Sequence, residues 1–412
     1  MNDFETKLDK YAELAVKVGV NIQQGQILSI SAYIHSAPLV RRIVKKAYEA
    51  GAKDVFIEWA DEEITRTKYE LAPDDTFEEY PKWRASEKNE LAENGAAFMS
   101  IVSSSPDLLS GIEPSRITAF SKAAGSALTT FRQYTQSDKV SWTVIGAASQ
   151  SWADKVFPEV AEEERVTKLW DAIFSACRID TADPVAAWKS HDTKLHKIVD
   201  YLNNKRYVKL AYTAPGTDLT VGLPERHVWV GAGSVNVQGN AFMANMPTEE
   251  VFSVPQRDAV NGYVTSTKPL SYSGNLIENF TITFENGKIV NVKAEKGEAI
   301  LKQLVETDEG SHYLGEVALV PHNSPISESN VLFYNTLFDE NASNHFAIGA
   351  GYAFCVEGGK EMSQEELLAN GVNTSLTHVD FMVGSSEMNI DGIKADGSKE
   401  AIFRNGNWAF EF

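Results

Sequence analysis

Apolar residues in the first half of the chain switch between two spacings, one helical and one of short continuous runs. From Phe4 to Val18, Leu8, Tyr11, Leu14 and Ala15 fall on one side of a helix. Residues 26–30 (QILSI) read as a short strand. Pro38 to Ala50 reads as a helix with Leu39, Ile43 and Ala47 in register, closed by Gly51. Residues 54–59 (DVFIEW) are the next strand. Helices over 81–94 and 116–134 and strands over 97–102 and 140–145 continue the alternation. Strands separated by helices of this length imply parallel pairing with both sheet faces covered. Two further helices follow. Residues 162–179 carry Val166, Leu169, Ile173 and Ala176 on one face, and residues 183–204 have Pro184 in the first turn.

From Arg206 onward the pattern belongs to strands. Residues 207–211, 219–221, 314–320 and 377–383 alternate or run apolar, and residues 299–306 form a short helix. Residues 279–292 (NFTITFENGKIVNV) read as a hairpin turning at Asn286-Gly287, the strongest short-range hairpin signal. The expected fold class is α/β: an N-terminal parallel-sheet α/β domain over residues 1–190, and a C-terminal mixed, strand-rich α+β domain over 191–412. The boundary falls between about 180 and 205, on the scale of domain lengths.

Composition narrows the class. The chain has 57 acidic against 38 basic residues, a net charge of −19, which repels nucleic acid. Its first residues are charged and amphipathic, and no window reaches the ~18 apolar residues of a membrane span. A cytoplasmic protein is expected. The two cysteines, Cys177 and Cys355, have no metal-binding spacing and read as buried, reduced thiols. The first half has neither a GxGxxG turn nor a P-loop, so it reads as a scaffold or substrate-gating element. The chain also has no GxSxG elbow and no HExxH helix.

The candidate chemistry lies in the last 170 residues. His378 and Asp380 are two apart on a strand and share a face, with Val379, Phe381 and Val383 on the other. Glu316 lies between small apolar neighbours, on a face with Leu314 and Ala318, and Gly315 permits close approach beside it. Glu340 and His345 flank a polar turn, and Gly349-Ala-Gly351 then leads to Tyr352. Of Glu249 and Glu250, alternation puts one inward without choosing which. Each segment alone also reads as a polar loop or a solvated strand face. Together they put acids and imidazoles in apolar or Gly-rich settings, where charge needs compensation. Two divalent metal ions would supply it. His35, His191, His196, His227, His312 and His322 lack a supporting context.

PTEEVF, YLGEVALV, LFDENASNHFAIG followed by GAGY, and HVDFMVG, in that order, resemble segments of the metallo-aminopeptidases that include aminopeptidase T and aminopeptidase S. The resemblance covers most of the chain and favours Glu250 over Glu249. It implies a dinuclear metal site held by Glu250, Glu316, His345, His378 and Asp380, with Glu316 bridging; such mixed oxygen and nitrogen ligands suit zinc, cobalt or manganese. Glu340 would be a further ligand or an acid–base group, and Glu316 and Tyr352 the catalytic pair. It also implies a homodimer and removal of single residues from peptides with a free N-terminus, with broad tolerance. The alternatives are another dinuclear hydrolase, such as a phosphoesterase, or a non-catalytic metal-binding protein.

Overall fold

The structure, a computed structural model, describes residues 3–272 and 275–411. The chain forms two compact units. The first runs up to His191 and also takes in Gly233–Thr248 and Val331–Phe333. The second comprises Asp192–Ala232, Glu249–Asn330 and the chain from Tyr334 on. The division is therefore not a single cut along the sequence.

The first unit holds a five-stranded parallel sheet. Its strands lie in the order Asn245–Met246, Trp142–Gly146, Ala97–Val102, Ile27–Tyr33 and Asp54–Ala60. The helix Asp3–Leu14 buries Leu8, Tyr11 and Leu14, and the helix Ala37–Glu49 buries Leu39, Ile43 and Ala47. These are the faces the periodicity predicts. After Leu14 the first helix widens into a π turn over Ala15–Gly19. The single helix expected over 116–134 is two, Pro114–Ala127 and Thr129–Gln136, joined at Leu128. The two-residue strand Asn245–Met246 is too short to leave an alternation signal.

The second unit contains two antiparallel sheets. The larger has nine strands, among them Lys209–Ala214, Thr217–Gly222 and the hairpin Asn275–Glu285/Lys288–Lys296. The hairpin turns at Asn286 (φ 48°) and Gly287 (φ 83°), the positive angles that a tight twisted turn requires. The smaller sheet has the order His378–Met382, His345–Gly349, Leu314–Leu319, Val251–Ser253 and Val230–Gly231. One face of it packs into the main apolar core through Val317, Leu319, Phe346, Ile348 and Phe381. Ring contacts join the two sheets: Phe346 lies 5.1 Å from Tyr212, and Phe381 lies 5.7 Å from Phe280. Both cysteines are buried. Among the described residues no helix is long and apolar enough to cross a membrane.

Candidate metal centre

Strand register decides which side chains meet on the other face of the small sheet. Directly paired residues of neighbouring strands share a face, as do alternate residues of one strand. Glu316 pairs with Ala347, and Ala347 with Asp380. Ala318 pairs with His345, and Gly349 with His378. Phe252 pairs with Ala318, and Glu250 lies two residues before Phe252. By this parity Glu250, Glu316, His345, His378 and Asp380 share one face. The small Ala347 separates the two acids of its row and leaves the space between them open.

The expectation that Leu314 shares the face of Glu316 does not hold. A β-bulge at Gly315 shifts the register: Leu314 pairs with Ile348 and joins the core, whereas Glu316 pairs with Ala347. A Cβ at Gly315 would lie 2.2 Å from the Ala350 carbonyl oxygen, so the close approach there requires glycine. Bulges of this kind re-aim a side chain.

The side chains converge as two groups sharing one carboxylate. His345 Nε2 lies 3.1 Å from Glu250 Oε2 and 3.4 Å from Glu316 Oε1. His378 Nε2 lies 3.6 Å from Glu316 Oε2 and 3.3 Å from Asp380 Oδ1. Within each group the facing N and O atoms all lie within 4.8 Å of one another. Glu249 belongs to neither group, nor do His35, His191, His196, His227, His312 and His322.

Hydrogen bonding shows that the groups fit divalent cations. His345 Nδ1 is 3.1 Å from the Ser343 carbonyl, and His378 Nδ1 is 2.7 Å from the Ala350 carbonyl. A carbonyl only accepts, so each Nδ1 carries the proton and donates it. Each Nε2 is left to present its lone pair to the carboxylates, the arrangement seen in imidazoles that bind metal. Glu250 Oε2, His345 Nε2 and Asp380 Oδ1 are buried and make no hydrogen bond. Lone pairs facing one another at this depth need a proton or a cation between them. Burial opposes a charge on His378, but Asp380 and Glu316 outweigh it and raise its pKa to about 9. Burial pushes the Glu316 carboxyl above its ordinary range, against the pull of His345.

Glu340 follows the short helix Thr336–Asp339, at the start of a 3₁₀ turn over Glu340–Ala342. It is buried but lies outside both groups. Burial, then the charges of Glu250 and Asp380, push its carboxyl well above the usual carboxylate range. Tyr352 follows the Gly349–Gly351 turn. Its ring lies 4.9 Å from that of His378, stacks on Phe354 at 5.1 Å and meets Phe252 edge-on at 6.0 Å. Burial and the surrounding carboxylates raise its phenol well above 10, so it keeps its proton.

Three buried asparagines that the sequence reading does not single out hold the surrounding chain. Asn341 Oδ1 accepts the Glu249 N–H at 2.7 Å, and Asn344 Oδ1 accepts the Val320 N–H at 2.9 Å. Asn373 Nδ2 donates to the carbonyls of Gly310 (2.7 Å) and Gly349 (2.6 Å). Asn341 and Asn344 lie in the densest polar segment, where a turn accounts for them equally well. Only their long-range partners mark them out.

The thermophilic metalloprotease family M29 matches residues 4–408. Aminopeptidase AmpS of Bacillus subtilis (strain 168) is 65% identical, covering 100% of both chains. Aminopeptidase 2 of Geobacillus stearothermophilus is 54% identical, again over 100% of both. The solved structure of wild-type AmpT from Thermus thermophilus superposes with a TM-score of 0.93 at 40% identity, covering 99% of this chain and 100% of that one. The fold is thus the mixed α/β arrangement expected from the sequence, and the chain belongs to the M29 family of thermophilic metalloproteases.

Proposed function

We propose that the protein is a metal-dependent aminopeptidase that removes the N-terminal residue of peptides with broad tolerance. The observation that carries this reading is the pair of ligand groups sharing Glu316 on one sheet face, in a chain whose relatives are aminopeptidases. Those relatives give no support to a phosphoesterase. Glu250, Glu316 and His345 would hold one divalent ion, and Glu316, His378 and Asp380 a second. Zinc, cobalt or manganese suits this mixed oxygen and nitrogen set. Bound there, such ions would supply Lewis acidity and lower the pKa of bound water to about 7.

The chain's own groups do the rest. Glu340 lies outside both ligand groups, and with bound cations offsetting the charges of Glu250 and Asp380 its carboxylate would take a proton and return it to the leaving amine. Glu316 keeps both halves of the site in register through its two oxygens. Tyr352 stays protonated and donates its O–H to the oxyanion that develops on the scissile carbonyl. The acids that face the site also suit a protonated N-terminal amine, which an internal peptide bond lacks. The same reading includes a homodimer, supported by the family resemblance. It also includes a cytoplasmic site of action, which the low cysteine count and the burial of both thiols support.

The test is cleavage of a peptide with a free amino terminus beside its N-acetylated form, before and after chelator treatment. Only the free peptide should be cut, and activity lost to chelator should return with divalent ions. Equal cleavage of the two peptides, or indifference to chelator, rejects the reading.

A further inference from the structure

We infer that Asn341 is a positioning residue for the Glu250–Glu316–His345 group, fixing Glu250 and Glu340 relative to His345. The inference rests on the metal-dependent reading above. Asn341 is fully buried. Its Oδ1 accepts the backbone N–H of Glu249, 92 residues away in sequence, at 2.7 Å. Its Nδ2 donates to the Leu337 carbonyl at 3.1 Å and reaches Glu340 Oε1 at 3.5 Å. Its own carbonyl accepts the Ser324 hydroxyl at 2.9 Å.

These contacts converge on the weak point of the group. Glu250 lies one residue before the strand Val251–Ser253, so ladder pairing fixes the chain only on its C-terminal side. On its N-terminal side Asn341 holds the peptide plane that enters Glu249. The primary amide carries an acceptor and a donor on one rigid plane. One side chain can therefore tie the Glu249 main chain and the Glu340 carboxylate to the same turn. Alanine can do neither, and aspartate keeps only the acceptor. Outer groups that orient metal ligands typically contribute 10–100-fold in metal affinity.

The experiment is stepwise zinc titration of the metal-free full-length protein against a chromophoric chelator, with its thermal unfolding measured alongside. In Asn341→Ala one zinc step should weaken about 10–100-fold, while the step belonging to Glu316–His378–Asp380 stays near wild type. Asn341→Asp, which keeps the acceptor for the Glu249 N–H, should bind clearly more tightly than Asn341→Ala. Asn341→Ser should behave as Asn341→Ala and carries the test if the alanine variant does not fold. Two wild-type steps in the alanine or serine variant, even with a lowered unfolding temperature, overturn the inference alone, as does an aspartate variant no tighter than alanine. A wild-type protein that takes up none of zinc, cobalt and manganese overturns the metal-dependent reading and this inference with it.

Discussion

Removing the Tyr352 hydroxyl isolates one part of the site. Phenylalanine keeps the ring, and the ring alone makes the contacts with His378 at 4.9 Å, Phe354 at 5.1 Å and Phe252 at 6.0 Å. Tyr352 belongs to neither ligand group, so Tyr352→Phe leaves both of them whole. What disappears is one O–H donor, held protonated by burial and the nearby carboxylates. A donor aimed at a developing oxyanion contributes about 3 kcal/mol, which is roughly a hundredfold in rate. The loss should fall on kcat, with little change in KM, because the charge on the oxygen develops only in the transition state. The assay is steady-state hydrolysis of leucine p-nitroanilide, with metal content measured on the same preparation. A kcat within threefold of wild type refutes the donor role. A large loss accompanied by loss of metal refutes the argument that only the hydroxyl matters.

Glu316→Gln should bring hydrolysis to background and lower zinc uptake in both groups, because each takes one oxygen of Glu316; near-normal turnover would exclude the shared carboxylate. Gly315→Ala drives a Cβ to 2.2 Å from the Ala350 carbonyl, and overpacking of that kind costs about 1–3 kcal/mol. An unchanged unfolding midpoint and unchanged metal uptake in that variant would show that the bulge is dispensable. Away from the site, the Asp192 side chain raises His196 to about 9 despite partial burial. This contribution is complete below pH ~6.5 and fades as pH rises through about 9. His196→Gln should therefore be less stable than wild type at pH 6 and equal to it at pH 10. The effect is near 0.5 kcal/mol for so exposed a pair, and a difference that persists at pH 10 contradicts the assignment.

What the sequence discloses and what it conceals divide along physical lines. Helices such as Ala37–Glu49 are legible because burial of Leu39, Ile43 and Ala47 imposes a local period. The Asn286-Gly287 turn is legible because positive φ angles select residue types. The parity of His378 and Asp380 is likewise a property of one strand. Choosing Glu250 over Glu249 is different in kind. Both are buried, and it takes the register of Phe252 against Ala318 and the 3.1 Å approach of Glu250 to His345, across 95 residues of chain, to separate them. Asn341 is hidden for the same reason: its partner Glu249 is remote in sequence.

Gly315 marks the limit of pattern reading most clearly. If the pairing of Leu314 with Ile348 continued without a break, Glu316 would oppose Phe346 and point into the apolar core. The extra residue at Gly315 moves it opposite Ala347, in the row that ends at Asp380. A strict alternation count assigns Glu316 to the right face but takes Leu314 with it, and Leu314 is core. The one-residue slip is possible because glycine lets the 349–350 carbonyls approach where a side chain would collide. The shared carboxylate thus owes its place to a residue with no side chain. Its cause lies in the backbone path of a neighbouring strand, beyond the reach of any single-segment pattern.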